Sequence, residues 1–297
     1  MLAAAVAALT LAAAPAPVVH VHASGDAGFR VNSYLVETPK GVVAVDAPFT
    51  VSEAKQLRAK LDALKKPLLA VLVTHPHPDH VNGIAVLINH TQAKVISLAN
   101  VDRTLRAIDA PKRAYWKPIY KDEYPDFTVF PTDVAKDGDT LTFDGVRFTA
   151  RDLGQGESDA ETVWVLGGEA AFTGDLVMNR VHPWLAEGHS AAWIKSLEKA
   201  QGMLKGVTTV YPGHGEKGTL ETLAWQKSYL EKYRAAVREL SGGKTALTDA
   251  QKKELSAKME QVIANAPLAM LVGMSADAVA AELAAEKPAA AQTQAKK

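Results

Sequence analysis

Three imidazoles and a carboxylate stand within six positions in His75-Pro76-His77-Pro78-Asp79-His80, directly behind the apolar run Val71-Leu72-Val73. Imidazole nitrogen and carboxylate oxygen are the donors that suit divalent zinc, so the cluster reads as a metal site. On a strand spanning 69–74 and continuing extended, side chains alternate, and His75 and His77 can point the same way and reach one ion. Asp79 and His80 lie beyond Pro78, where the chain must leave the strand, and can face a second ion. The bland alternative is a polar strand end with solvated histidines, but this spacing behind an apolar strand is rare by chance.

The segment Thr74 to His80 resembles the His-x-His-x-Asp-His signature of the metallo-β-lactamase superfamily of metal-dependent hydrolases, and the resemblance runs from about Val31 to His214. Where that family turns through a Gly-rich loop and usually presents a third histidine to the first metal, this chain has Leu153-Gly154-Gln155-Gly156-Glu157-Ser158, with Glu157 in the histidine's place. A carboxylate there is found in some branches, alkylsulfatases among them. Thr173-Gly174-Asp175 resembles the family's bridging aspartate, and Pro212-Gly213-His214-Gly215 its last metal ligand.

The resemblance implies an α/β fold, a four-layer αβ/βα sandwich with a C-terminal helical extension. It also implies two Zn(2+) ions, with Fe or Mn as alternatives. His75, His77 and Glu157 would bind the first, and Asp79, His80 and His214 the second, with Asp175 bridging. Water whose pKa zinc lowers to about 7 would then attack an ester, thioester, lactone, lactam or sulfate-type centre. Asp79 is the expected catalytic residue, orienting that water or passing on its proton. Asp46 would support the metal loop or be a plain turn carboxylate. Should Glu157 be no ligand, His182 is the first substitute. An iron-dependent redox enzyme and a non-catalytic metal-binding protein are the rival readings.

These residues need elements to carry them. Val18 to Ser24 alternates apolar with polar and predicts a strand on which His20 and His22 are surface residues. Strands follow at Val31–Glu37 and Gly41–Asp46, then a helix from Glu53 to Leu64 capped by Thr50 or Ser52. Further helices are expected at Ile84–Ile88 and Val101–Ile108, and strands at Lys94–Leu98, Val163–Leu166 and Val207–Tyr211. Asp144-Gly145 between two alternating runs predicts a hairpin with a type I′ turn. From Asp109 to Phe127 three prolines punctuate an aromatic-rich irregular segment, read as a lid over the metal site in which Trp116 and Tyr120 contact substrate, with a packing insertion as the alternative. His182, Trp184 and Glu187 follow Asp175 closely enough to reach the cleft, or to cap a helix Ala191–Leu204.

The 297 residues, 47% of them hydrophobic, can bury a sizeable core. Lys+Arg and Asp+Glu are 33 each, so the formal charge is zero and no overall basic field exists to hold nucleic acid. The expected partner is a small-molecule substrate. Cysteine is absent, which excludes disulfides, Cys-ligated metal and Cys nucleophiles. Residues 1–17 match a secretory signal peptide whose apolar run, Leu2 to Ala14, is shorter than the ~20 residues of a spanning helix. That points to a periplasmic or secreted protein without a stable membrane anchor, or to a cytoplasmic one if the segment is no signal. Residues 18–218 read as the catalytic domain and 219–286 as C-terminal helices that pack on the core or make a homodimer face. Among them Thr248 and Gln251 suggest a capping box opening a helix to Ala264, and Ser275 starts another ending near Glu286. Residues 287–297 read as a disordered tail.

Overall fold

A computed structural model describes residues 17–286. The signal segment, apart from Pro17, and the 287–297 tail lie outside the described residues. No helix among the described residues is long and apolar enough to cross a membrane.

Two mixed sheets lie face to face. The first has the order β1 (Val19–Ala23), β2 (Asn32–Glu37), β3 (Val42–Val45), β4 (Leu68–Leu72), β5 (Lys94–Leu98), β6 (Asp133–Ala135). β1 to β3 are antiparallel neighbours, and β3 to β6 run parallel. β3 is buried along its whole length, as expected of a parallel strand covered on both sides and as its Val-Val-Ala-Val run announces. The second sheet orders β11 (Thr209–Gly215), β10 (Ala170–Asn179), β9 (Glu161–Leu166), β8 (Val146–Gly154), β7 (Thr140–Phe143). β7 and β8 form the expected hairpin, with Asp144 and Gly145 at φ 50° and 86° as a type I′ turn requires.

Val43, Val45, Val71 and Leu72 of the first sheet and Phe148, Trp164 and Phe172 of the second share one apolar core. The outer face of the first sheet is covered by α1 (Val51–Ala63) and α4 (Ala99–Tyr120), whose Leu57, Leu61, Val101 and Leu105 belong to the same cluster; the short α2 (Pro78–Val81) and α3 (Ile84–Leu87) lie between them in the chain. Thr50 caps α1 by accepting from the Glu53 N–H. A second core lies beyond the other sheet. There α5 (Ser190–Met203), α6 (Glu221–Ser241), α7 (Asp249–Val262) and α8 (Met270–Ala285) bury Trp193, Leu230, Tyr233, Met259 and Val279. The result is the four-layer sandwich with its helical extension, and the apolar faces of the C-terminal helices pack on the core. α7 opens with the capping box Thr248/Gln251.

Several expectations need correction. The segment 109–127 is not irregular. α4 runs through Pro111 and Pro118 to Tyr120, followed by a short 3-10 turn at Lys121–Glu123. Each proline removes a helical hydrogen bond. The helix continues because its far half is anchored: Trp116 and Tyr120 pack on Phe29 and Phe49, Arg113 donates to the Pro125 carbonyl, and Lys117 to that of Tyr124. β4 stops at Leu72, so His75 and His77 stand on a bend rather than on a strand. Here the Thr74 N–H turns away from the ladder to the Asp46 carboxylate. α8 starts five residues earlier than Ser275. His22 is buried, its Nε2 donating to the Glu53 carboxylate at 2.9 Å, and His20 Nε2 meets the Glu37 carboxylate at 2.7 Å.

Candidate metal centre

The motif is carried past β4 on a loop tied down from both sheets. The Val73 carbonyl accepts from Trp164 Nε1 at 3.0 Å and the Thr74 carbonyl from the Thr162 N–H at 2.8 Å, both from β9. Asp46, at the end of β3, accepts from the Thr74 N–H (2.8 Å), from Thr74 Oγ1 (2.7 Å) and from His80 Nδ1 (2.8 Å). Pro78 then opens α2 (Pro78–Val81), with His77 as its N-cap residue. This turn rotates Asp79 and His80 away from His75 and His77.

Asp175 comes from β10 at an irregularity in its pairing with β11, between Phe172 and Met178. Bulges of this kind re-aim side chains beside functional sites. The geometry leaves no room for ordinary residues. Gly174 sits at φ 50° with Thr74 Oγ1 against the place of a Cβ, and a Cβ on Gly213 would collide with the Asp175 carboxylate. His214, near the end of β11, is held from the first sheet. Asn32 donates to the carbonyls of Pro212 (3.1 Å) and Gly215 (2.7 Å), and Tyr34 donates to that of Pro212.

The seven side chains singled out by the sequence fall into two adjoining groups, His75, His77 and Glu157 in one and Asp79, His80, Asp175 and His214 in the other. Glu157 Oε2 lies 2.8 Å from His77 Nδ1 and 3.7 Å from His75 Nε2. Asp175 stands 3.2 Å from both His80 Nε2 and His214 Nε2, and 3.9 Å from His75 Nε2, so it faces both groups. Asp79 Oδ2 is 3.5 Å from His214 Nε2.

The outer contacts assign the tautomers. His214 Nδ1 faces the Phe29 carbonyl at 2.8 Å and must be its donor. His80 Nδ1 donates to Asp46, and His75 Nδ1 to Thr74 Oγ1 (3.1 Å), whose own proton goes to Asp46. His77 is reversed, with Nε2 donating to Glu187 at 3.3 Å. Each ring therefore turns its other nitrogen inward, as a lone pair once a cation takes the place of any proton there: Nε2 of His75, His80 and His214, and Nδ1 of His77. His75 Nε2, His80 Nε2, Glu157 Oε2 and Asp175 Oδ1 are buried without a hydrogen-bond partner among the described residues. Orphaned buried polar atoms are costly, and several aimed at one small volume are what a cation satisfies. The donor set fits divalent metal.

The site's electrostatics agree. Burial lowers the histidine pKa values, yet the Glu157 carboxylate beside His77 lifts it to about 10, and Asp175 and Asp79 lift His214 to about 9. Burial pushes Glu157 up to about 7 against the pull of His77. A centre that draws protons this strongly is one that divalent cations compete to enter. His75, shielded by burial and next to His80, stays well below the ordinary histidine value.

Two supporting acids escaped the sequence reading in whole or part. Glu187, weighed there as a substrate or capping residue, receives His77 Nε2 and the Lys112 ammonium (2.9 Å) on one oxygen. Glu161 was not singled out. It is fully buried and accepts from the Ser158 N–H and Oγ at 2.9 and 2.8 Å, bracing the Glu157 loop, while burial and the neighbouring Glu157 charge raise its pKa well above the carboxylate range. A buried Glu four residues after another carries no sequence signal that separates it from a strand-end Glu.

The expected substrate contacts divide. Trp116 and Trp184 line the cleft over the donor groups. Tyr120 does not, standing behind Phe49 at a ring distance of 4.7 Å. His182 does not either. It is buried against α6, with Nδ1 2.7 Å from the Tyr229 hydroxyl, because the chain after β10 turns under the helical extension rather than over the cleft.

Replacing Asp46 with Ala would orphan three buried donors and leave a non-glycine residue at φ 58°. The expected loss is about 3 kcal/mol of stability or more by urea unfolding. A change under about 0.5 kcal/mol would reduce Asp46 to a plain turn residue.

A family model described as the metallo-beta-lactamase superfamily matches residues 26–214. Over 61 residues the chain is 33% identical to the linear primary-alkylsulfatase of a Pseudomonas species, which spans 20% of this chain and 12% of that protein. Over 65 residues it is 38% identical to the exodeoxyribonuclease WalJ of Streptococcus pneumoniae, spanning 22% and 23%. The chain thus matches under a quarter of these relatives' length. A metallo-beta-lactamase structure from Pontibacter korlensis superposes with a TM-score of 0.56 at 19% identity, covering 68% of this chain and 87% of that one. At that identity the likeness concerns the fold.

Proposed function

Because this chain belongs to the metallo-β-lactamase superfamily, we propose that it is a metal-dependent hydrolase of a small-molecule ester, thioester, lactone, lactam or sulfate-type substrate. The observation that carries this reading is the pair of adjoining donor groups, with Asp175 facing both, at the floor of one cleft. His75, His77 and Glu157 would hold one divalent ion and Asp79, His80 and His214 a second, with Asp175 between them. Zinc suits this set of nitrogen and oxygen donors, and Fe or Mn are the alternatives. Such ions supply Lewis acidity and lower the pKa of water towards neutrality.

The chain's own residues do the rest. Asp79 is the one partly exposed acid of the set, its side chain 18% accessible, so it can accept a hydrogen bond from water in the cleft and fix its orientation. Burial would raise its carboxyl, but His214 and His80 hold it well below the usual range, which keeps it ionised and able to accept hydrogen bonds from water. Glu187 keeps the His77 ring turned, and Lys112 neutralises Glu187 in return. Among the described residues Lys112 is the only lysine or arginine lining the cleft, and it is already paired, so the cleft offers no basic track for a polynucleotide. This supports a small substrate. Export to a periplasm or beyond rests on the Leu2–Ala14 run, and cell fractionation tests it.

Metal analysis of the protein purified without added metal, followed by a substrate panel with the zinc-loaded chain, tests the proposal. Two zinc ions per chain and chelator-sensitive hydrolysis are expected. Stripping tightly held metal should also lower Tm by roughly 10 °C. Saturation at one ion would overturn the binuclear reading, and bound iron with redox turnover but no hydrolysis would overturn the hydrolase.

A further inference from the structure

The cleft spans about 670 Å³ with the open solvent at its mouth included, and its floor and walls differ in chemistry. The floor carries His77, Asp79, Glu157, Asp175 and His214, while the walls are apolar: Phe29, Phe49, Trp116 of α4, and Met270, Leu271 and Met274 of α8. These walls come from three distant stretches of chain. Met270 and Met274 lie one turn apart on the same side of α8 and are 53% and 51% exposed. The helix is held in place by its other side. Val272, Ala276 and Val279 are buried, the Val272 carbonyl accepts from the Tyr233 hydroxyl, and Ser275 Oγ accepts from the Leu185 N–H at 2.9 Å. Two large apolar side chains thus stand in solvent on a fixed support, continuous with an apolar cleft. A contiguous patch of this kind marks a binding surface, and methionine adapts its shape to flexible apolar ligands. Both residues lie outside the 26–214 stretch matched by the family, so what they select belongs to this chain.

Resting on the hydrolase reading above, we propose that the substrate is an amphiphile: an ester whose polar or anionic head sits on the donor floor and whose unbranched apolar chain lies along Phe49, Trp116, Leu271, Met270 and Met274. Hydrolysis adds water across one bond. The water oxygen bonds to the carbonyl carbon or to sulfur, that atom's bond to the ester oxygen breaks, and the alcohol leaves with one proton while the acid carries the new oxygen. Two sources share this chemistry, a fatty acyl ester and an alkyl sulfate.

The zinc-loaded full chain is assayed on p-nitrophenyl acetate, butyrate, octanoate and decanoate, and on butyl and decyl sulfate. Within the series that reacts, kcat/KM should rise roughly four-fold per buried methylene. The series that reacts identifies the source. In the Met270→Gln/Met274→Gln variant the ratio of long-chain to short-chain kcat/KM should fall at least ten-fold. A second readout needs no turnover. Decane-1-sulfonate, kept below micelle formation, is titrated by calorimetry into the wild type and the variant, with butane-1-sulfonate as control. At least ten-fold weaker binding by the variant, for the long sulfonate only, supports the assignment even if no ester is cleaved, and in that case it is the hydrolase reading that falls. Hydrolysis indifferent to chain length, or equal affinity of both proteins for decane-1-sulfonate, overturns it.

Discussion

Asp175→Ala is expected to lower kcat/KM by about 10³-fold or more, equivalent to ~4 kcal/mol of transition-state stabilisation, and to reduce metal content below two ions per chain. The expectation follows from where the carboxylate stands. It is 3.2 Å from His80 Nε2, 3.2 Å from His214 Nε2 and 3.9 Å from His75 Nε2, so it is the one acid that faces both donor groups. Burial alone would raise its carboxyl, yet the charges of His214 and His80 hold it well below the usual range. Removing it leaves inward-facing nitrogens without a counter-charge in a buried site. Asp175→Asn keeps the shape and removes the charge, so a similar loss there would assign the effect to charge rather than packing. Elemental analysis and kinetics are measured on the same preparations. Two metals and turnover within ten-fold of wild type in Asp175→Ala would remove this residue from the centre.

Glu157→Ala should lose one metal and fall in activity by a comparable ~10³-fold, whereas Glu157→His should retain both metals. The carboxylate is buried, lies 2.8 Å from His77 Nδ1, and has one oxygen without a hydrogen-bond partner. Its loop is braced by Glu161 through Ser158 rather than by Glu157 itself. The variants should therefore fold, which a near-unchanged urea midpoint of the metal-free proteins would show. If Glu157→Ala keeps two tightly bound metals and its turnover, Glu157 is a loop residue. His182, the substitute suggested by sequence order, is not available, because it is committed to Tyr229.

Much of the fold was legible because its signals are local. Asp144-Gly145 between alternating runs, Thr50 before α1, and Thr248 with Gln251 before α7 each specify a turn or cap through the backbone geometry of a few residues. α4 was misread for the opposite reason. Pro111 and Pro118 argue locally for a break, and the helix survives on contacts with Phe29 and Phe49, far away in sequence. β6 (Asp133–Ala135) is three residues long and has no pattern of its own. It forms a strand because β5 offers it an edge.

By itself the sequence determined the superfamily and the chemistry of the donors, because side-chain type and short spacing survive without knowledge of the fold: His75, His77, Asp79 and His80 fit within six positions and share a metal-binding character. Tertiary structure alone decided the rest. It set which nitrogen of each ring faces inward, through Asp46, Thr74, Glu187 and the Phe29 carbonyl. It placed Asp175 before both groups by an irregularity in β10, and it excluded Tyr120 and His182 from the cleft. It also brought Met270 and Met274 into the same cleft as His77 and Asp79, nearly two hundred residues earlier in the chain. Such contacts depend on how two sheets and a helical layer close on one another, and no periodicity within a single segment records that closure.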